Sequence, residues 1–245
     1  MSRIPVLVRR ELSAFFVSPM AYIVLTVFLA VAGLWFVRTG LLPESGRFAY
    51  GGALSVLDAM SVMLLFLLPL LTMRLLSEEI SSGTIEMLMT APVSNTAVVL
   101  AKFLGALAFF VVMLIPTLAF PVLLHLLSGA TKPDTGPVIS GYFGLVLLGM
   151  MTIAVGVCVS ACVRNQISAA VLTALVLALL WFAGSATAAK ATSAWQAALQ
   201  YLGILYHYDS FAKGVIDTRD VVFYVTGTGL FLFAAVGVIA VRRWR

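Results

Sequence analysis

Ten carboxylates and two histidines stand among 245 residues, so the chemistry open to this chain is decided by how those few groups are spaced. His125 and His207 are far apart, neither belongs to an H-E-x-x-H pair, and no G-x-S-x-G turn presents a serine nucleophile. Catalysis is not expected. Cys158 and Cys162 sit one helical turn apart, a spacing that reads as small packing residues and not as a metal or redox pair. The phosphate-cradling G-x-x-x-x-G-K-[ST] loop is also missing, so the chain carries no nucleotide motor of its own. What remains is a concentration of charge in residues 74–102, RLLSEEISSGTIEMLMTAPVSNTAVVLAK, where Glu78, Glu79 and Glu86 lie between two long apolar runs. Carboxylates at that density require water or basic partners, and the chemistry they offer is recognition.

Local signals shape this segment. Gly83 is a candidate helix start, and Glu86, three residues on, sits where the free amides and positive dipole of a first turn favour a carboxylate. Pro92 disfavours helix at Ala91, which leaves about two turns from Thr84 to Met89 or Thr90, with Ile85, Leu88 and Met89 along one stripe. Ser94 then caps the next helix. Two readings of this short amphipathic helix stay open on physical grounds. One presses its apolar stripe into a groove on a water-soluble partner; the other lays it on a membrane surface.

The elements that must hold this segment are membrane helices. The chain is 62% hydrophobic and 10% charged, with a mean hydropathy of +1.10, far above the usual soluble domain. A bilayer span needs roughly 20 apolar residues. Six runs qualify, at residues 20–37, 54–73, 98–124, 139–162, 167–186 and 221–241. None alternates apolar and polar residues as a membrane strand does, so the expected fold is an all-α membrane protein with six transmembrane helices. An even number of spans puts both ends on one side. Arg3, Arg9 and Arg10 before the first span, with Arg242, Arg243 and Arg245 after the last, assign that side to the cytoplasm. Residues 74–97 then form a cytoplasmic loop. The net charge of +5 is read as affinity for anionic lipid headgroups, and no nucleic-acid partner is expected.

The remaining segments are placed by the same patterns. Residues 1–19 form an interfacial elbow helix, apolar along Leu7, Val8, Leu12 and Phe15, with Arg9 and Arg10 opposite and a turn at Ser18-Pro19. Glu11 falls inside the apolar arc; it either finds a buried partner, such as Arg74 or a neighbouring subunit, or reaches to headgroup level. Asp58, near the outer start of the second span, either lines a polar path or sits at the outer interface. Pro116 and Pro121 are expected to bend the third span. Gly141, Gly144, Gly149 and Gly156 permit close helix approach in the fourth. Residues 187–220 form an external segment, with a stripe of Trp195, Ala198, Leu199, Leu202 and Leu205, either re-entrant or an interfacial cover.

Three stretches carry a resemblance to a known family. The pattern Arg74-Leu75-Leu76-Ser77-Glu78-Glu79, Gly83-Thr84-Ile85-Glu86-Met87-Leu88 and Pro92-Val93-Ser94 resembles the cytoplasmic loop of ABC-2 type transporter permeases, most closely the gliding-motility and copper-maturation type. Arg9-Arg10-Glu11-Leu12 through Ser18-Pro19-Met20-Ala21-Tyr22, and the segments 207–211 and 214–220, are similar to the same subfamily. The pattern departs from it at Ile80, Ser81 and Ser82, where a basic residue is expected. The resemblance implies that residues 83–91 are a coupling helix docking on a separate ATP-binding subunit. Glu78, Glu79, Gly83, Thr84, Ile85, Glu86, Leu88, Met89 and Pro92 would then be the ATPase-coupling residues. It further implies two ATP-binding subunits that carry ATP and Mg, no cofactor on this chain, a second permease, identical or related, and a place in the bacterial inner membrane with export as the task. A secondary transporter is the alternative, as is a membrane scaffold that transports nothing and serves a mechanotransmitting ATPase.

Overall fold

The computed structural model describes residues 4–41, 50–84, 94–127, 135–185 and 200–242. Among them there is no strand, and six segments are long and apolar enough to cross a bilayer: Pro19–Leu41, Leu54–Ser81, Asn95–Leu127, Thr135–Cys162, Gln166–Ala183 and Thr218–Arg242. The all-α, six-span reading of the sequence holds. Preceding the first span, Ile4–Val17 forms the elbow helix. Between the fifth and sixth spans lies a nine-residue helix, Ile204–Ala212.

The fourth span is the hub of the bundle. It is buried over 78% of its apolar window, against 22% for the fifth and sixth spans. Its glycines explain why. A Cβ added at Gly149 would lie 2.1 Å from Phe110 Cε1, and one at Gly156 would lie 2.1 Å from Thr72 Oγ1. Gly141 and Gly144 admit Leu57 and Phe211 in the same way. The neighbouring helices occupy the volume a side chain would need, which is how small residues bring membrane helices into contact where lipid offers no hydrophobic drive. The first, fifth and sixth spans instead keep apolar residues such as Leu34, Val171, Leu175 and Phe233 exposed, as suits lipid or another protein surface.

The third span breaks where its prolines predict. Helix Asn95–Leu114 gives way to a 3-10 turn at Ile115–Leu118, and helix Ala119–Leu127 follows. Pro116 cannot donate a backbone hydrogen bond, so the ladder loosens at its position. Thr117 Oγ1 donates to Leu114 O at 2.7 Å, and Tyr142 of the fourth span donates to Thr117 O at 2.8 Å, which supplies polar partners at the break. Pro121 lies three residues into the second helix, where a missing N–H costs little.

The elbow helix runs along the third span. Phe15 stacks on Phe109 with ring centroids 5.3 Å apart, and Phe16 meets the same ring edge-on at 5.7 Å. At the crossing, a Cβ on Gly105 would lie 2.8 Å from Glu11 Cβ, so the absence of a side chain there lets the elbow seat.

Candidate functional site

The charged segment begins where helix Tyr50–Thr72 of the second span ends. Pro69 lies inside helix Tyr50–Thr72 and removes a donor one turn before its end. Residues 73–76 then form a turn whose backbone groups would be unsatisfied in an apolar bundle. Ser160 of the fourth span, fully buried, satisfies them. Its Oγ accepts from Leu76 N at 3.1 Å and Ser77 N at 3.0 Å, and donates to Met73 O at 3.2 Å. A helix of five residues, Ser77–Ser81, follows, with Glu78 and Glu79 in its first turn, where the dipole favours carboxylates. Sequence reasoning did not separate this helix from the coupling segment.

Gly83 has a φ of 73°, the left-handed conformation that follows a helix end, and only glycine adopts it without a Cβ penalty. Thr84 is helical. Of the other predicted coupling residues, Ile85, Glu86, Leu88, Met89 and Pro92 lie outside the described residues. The chain is described again from Ser94, whose side chain accepts from Ala97 N at 3.3 Å and caps the third span as its sequence predicts.

Lys102 ties this segment to the elbow. Its ammonium, with only 4% of the side chain exposed, lies about two helical turns into the third span and donates to Glu79 Oε1 at 2.7 Å and to Glu11 Oε2 at 3.4 Å. Arg10 also reaches Glu11, at 3.0 Å. Burial makes such an arrangement consequential, because an unpaired charge here would lack both water and counterion. The sequence placed Glu11 inside an apolar arc and left open a buried partner, such as Arg74 or a neighbouring subunit, or a reach to headgroup level; in the structure Glu11 meets Lys102, because the elbow lies on the third span. Arg74 instead pairs with Glu78 at 3.2 Å and donates to Ser18 Oγ at 3.5 Å, so it bridges the second span and the elbow turn. Arg9 is exposed and stands apart from the cluster. The signal for Lys102 was present as a lysine within an apolar run, a position that requires an acidic neighbour.

The opposite end of the bundle carries a second buried polar group. His207, 1% exposed, lies between Asp220 Oδ1 at 2.6 Å and Tyr201 O at 2.8 Å. The carbonyl can only accept, so Nε2–H donates to it, and Nδ1 and Asp220 meet across one proton. The imidazole stacks on Phe223 at 3.9 Å, which joins the segment before the sixth span to that span. The sequence assigned this region to an external segment and gave His207 no role of its own; in the structure the histidine is a core group. Tyr208 is buried one residue later and donates to Leu57 O at 3.4 Å; burial first, and then the charge of Asp58, holds its phenol above the ordinary value. Asp58 itself is exposed on the second span, away from the ion cluster. His125 is exposed near the end of the third span. Both cysteines are free thiols, and no group of three or more metal-ligating side chains occurs among the described residues. Trp195, Ala198 and Leu199 lie outside the described residues, while Leu202 is exposed and Leu205 partly buried.

The family model for the ABC-2 family transporter protein matches residues 13–185, from the elbow helix through the fifth span. The chain belongs to the ABC-2 transporter family. The match takes in Arg74, Glu78, Glu79, Lys102 and Ser160, so most of the polar site described above falls within the family domain. No curated protein matches the chain. As an ABC-2 permease it is the membrane component of a transporter, a multi-pass protein whose family implies partnership with an ATP-binding subunit.

Proposed function

We propose that this permease couples ATP hydrolysis on a separate subunit to export across the bacterial inner membrane, with both termini in the cytoplasm. In this reading two permeases, identical or related, assemble with two ATP-binding subunits that hold ATP and Mg, and cargo passes between the permeases. Closure of the motor subunits displaces residues 83–91, and the second and third spans tilt with them. Leu88 and Met89 anchor in the motor groove, with Glu86 at the helix start, and the resemblance of the loop and elbow patterns supports a permease of the gliding-motility and copper-maturation type.

The observation that carries this reading is the bracing of the charged segment. Glu79 is bound to Lys102 of the third span, Lys102 to Glu11 of the elbow, and the turn leading into the segment to Ser160 of the fourth span. A displacement delivered there reaches three elements at once through short polar contacts, which a loop that merely links two spans does not need. The test is co-purification of the permease with an ATP-binding subunit that carries the Walker loop. Leu88→Asp is expected to abolish co-purification while membrane insertion and thermal stability stay at wild-type level; undiminished co-purification would remove the basis for the coupling assignment.

A further inference from the structure

Coupling leaves unused a cavity of about 470 Å³ between the elbow helix and the end of the second span. Its volume lies within the roughly 300–1,000 Å³ of sites that hold small ligands. Phe15, Met20, Leu70 and Leu71 supply apolar wall, and Ser18 and Pro19, where the elbow turns into the first span, line it as well. An elbow helix that lies in the interface holds such a turn at the depth where headgroups meet acyl chains.

The charges lining the cavity are three carboxylates, Glu11, Glu78 and Glu79, against two cations, Arg74 and Lys102. They are not equivalent. Lys102 is committed to Glu79 and Glu11 and almost fully buried. Arg74 and Glu78 are 3.2 Å apart with 40% and 48% of their side chains exposed, so both remain reachable, and a pair that exposed is held weakly. The open end of the cavity therefore offers one planar guanidinium and one carboxylate side by side, above an apolar wall. A guanidinium matches a phosphate with two parallel hydrogen bonds, and a carboxylate matches a primary ammonium.

We infer that this cavity is a binding site for a zwitterionic phospholipid with a primary-amine headgroup, its phosphate on Arg74, its ammonium on Glu78 and its first methylenes against Phe15, Leu70 and Leu71. An anionic headgroup would meet a surplus of carboxylates, and a choline headgroup has no N–H for Glu78. The inference needs only the membrane domain and stands apart from the ATPase assignment; the Leu88→Asp result leaves it unchanged.

The test uses the full-length permease, delipidated in detergent and titrated with phosphatidylethanolamine, phosphatidylcholine and phosphatidylglycerol of matched chains, with bound lipid counted by native mass spectrometry. The wild type is expected to retain one phosphatidylethanolamine about fivefold more readily than either other lipid. Glu78→Ala lowers its retention to that of phosphatidylcholine, Arg74→Ala lowers both, and Ala14→Trp, which fills the cavity and replaces none of the ions, lowers all three. Glu78→Gln repeats the first comparison with the side-chain shape kept, should the alanine variant fold poorly. Equal retention of the three lipids, preference for phosphatidylglycerol, or phosphatidylethanolamine retention unmoved by both Glu78→Gln and Ala14→Trp overturns the inference.

Discussion

Replacing Lys102 with methionine tests whether the ion cluster holds the elbow to the bundle. The substitution keeps most of the side-chain volume and removes the one cation between Glu79 and Glu11, at 2.7 and 3.4 Å. Stripping one partner from a fully buried pair costs about 3–5 kcal/mol. Here the carboxylates keep 24% and 13% of their side-chain exposure, and Arg10 stays 3.0 Å from Glu11, so part of their charge remains solvated or paired. The expected loss is about 2–3 kcal/mol. At about 2–4 °C per kcal/mol for a chain of this size, the thermal midpoint in detergent falls by about 4–12 °C. Adding Glu11→Gln and Glu79→Gln removes the stranded charges, and the triple variant is expected to recover to within about 1 kcal/mol of wild type. The recovery separates an electrostatic role from lost packing. A single variant that melts with the wild type, or a triple variant that melts as low as the single, would refute this account of the cluster.

Two further outcomes follow from the packing and from the opposite end. Gly149→Ala puts a Cβ within 2.1 Å of Phe110 and is expected to cost about 1–3 kcal/mol by overpacking; paired with Phe110→Ala in a double-mutant cycle, the combined loss should fall short of the sum, and strict additivity would show that the two do not share this contact. His207→Phe keeps the stack on Phe223 but leaves Asp220 and Tyr201 O without their partner, a loss of about 2–4 kcal/mol. Hydrogen exchange across residues 200–212 is expected to accelerate in that variant, and unchanged protection would mean that the histidine does not hold this segment to the sixth span.

Composition and run length by themselves determined that the chain is a six-span helical bundle, because in a bilayer core each helix satisfies its own backbone and only length and apolarity are needed to recognise one. The bend at Pro116 and the Ser94 cap were legible because each depends on a residue and its near neighbours in the chain; Gly149 and Gly156 marked a close helix approach, but not that Phe110 and Thr72 would fill it. Which charges meet was not legible. Lys102, Glu79 and Glu11 are distant in sequence: the elbow lying across Gly105 brings Glu11 to Lys102, and the turn after Thr72 brings Glu79. Ser160 had no role assigned from sequence; the turn after Thr72 places three backbone groups around it. His207 lay in a segment read as external, and only the packing of Ile204–Ala212 against the bundle buries it beside Asp220. Hydropathy fixes which segments leave water, but the partner of a buried charge depends on how helices cross, and that is set by side-chain volumes on surfaces far apart in the chain.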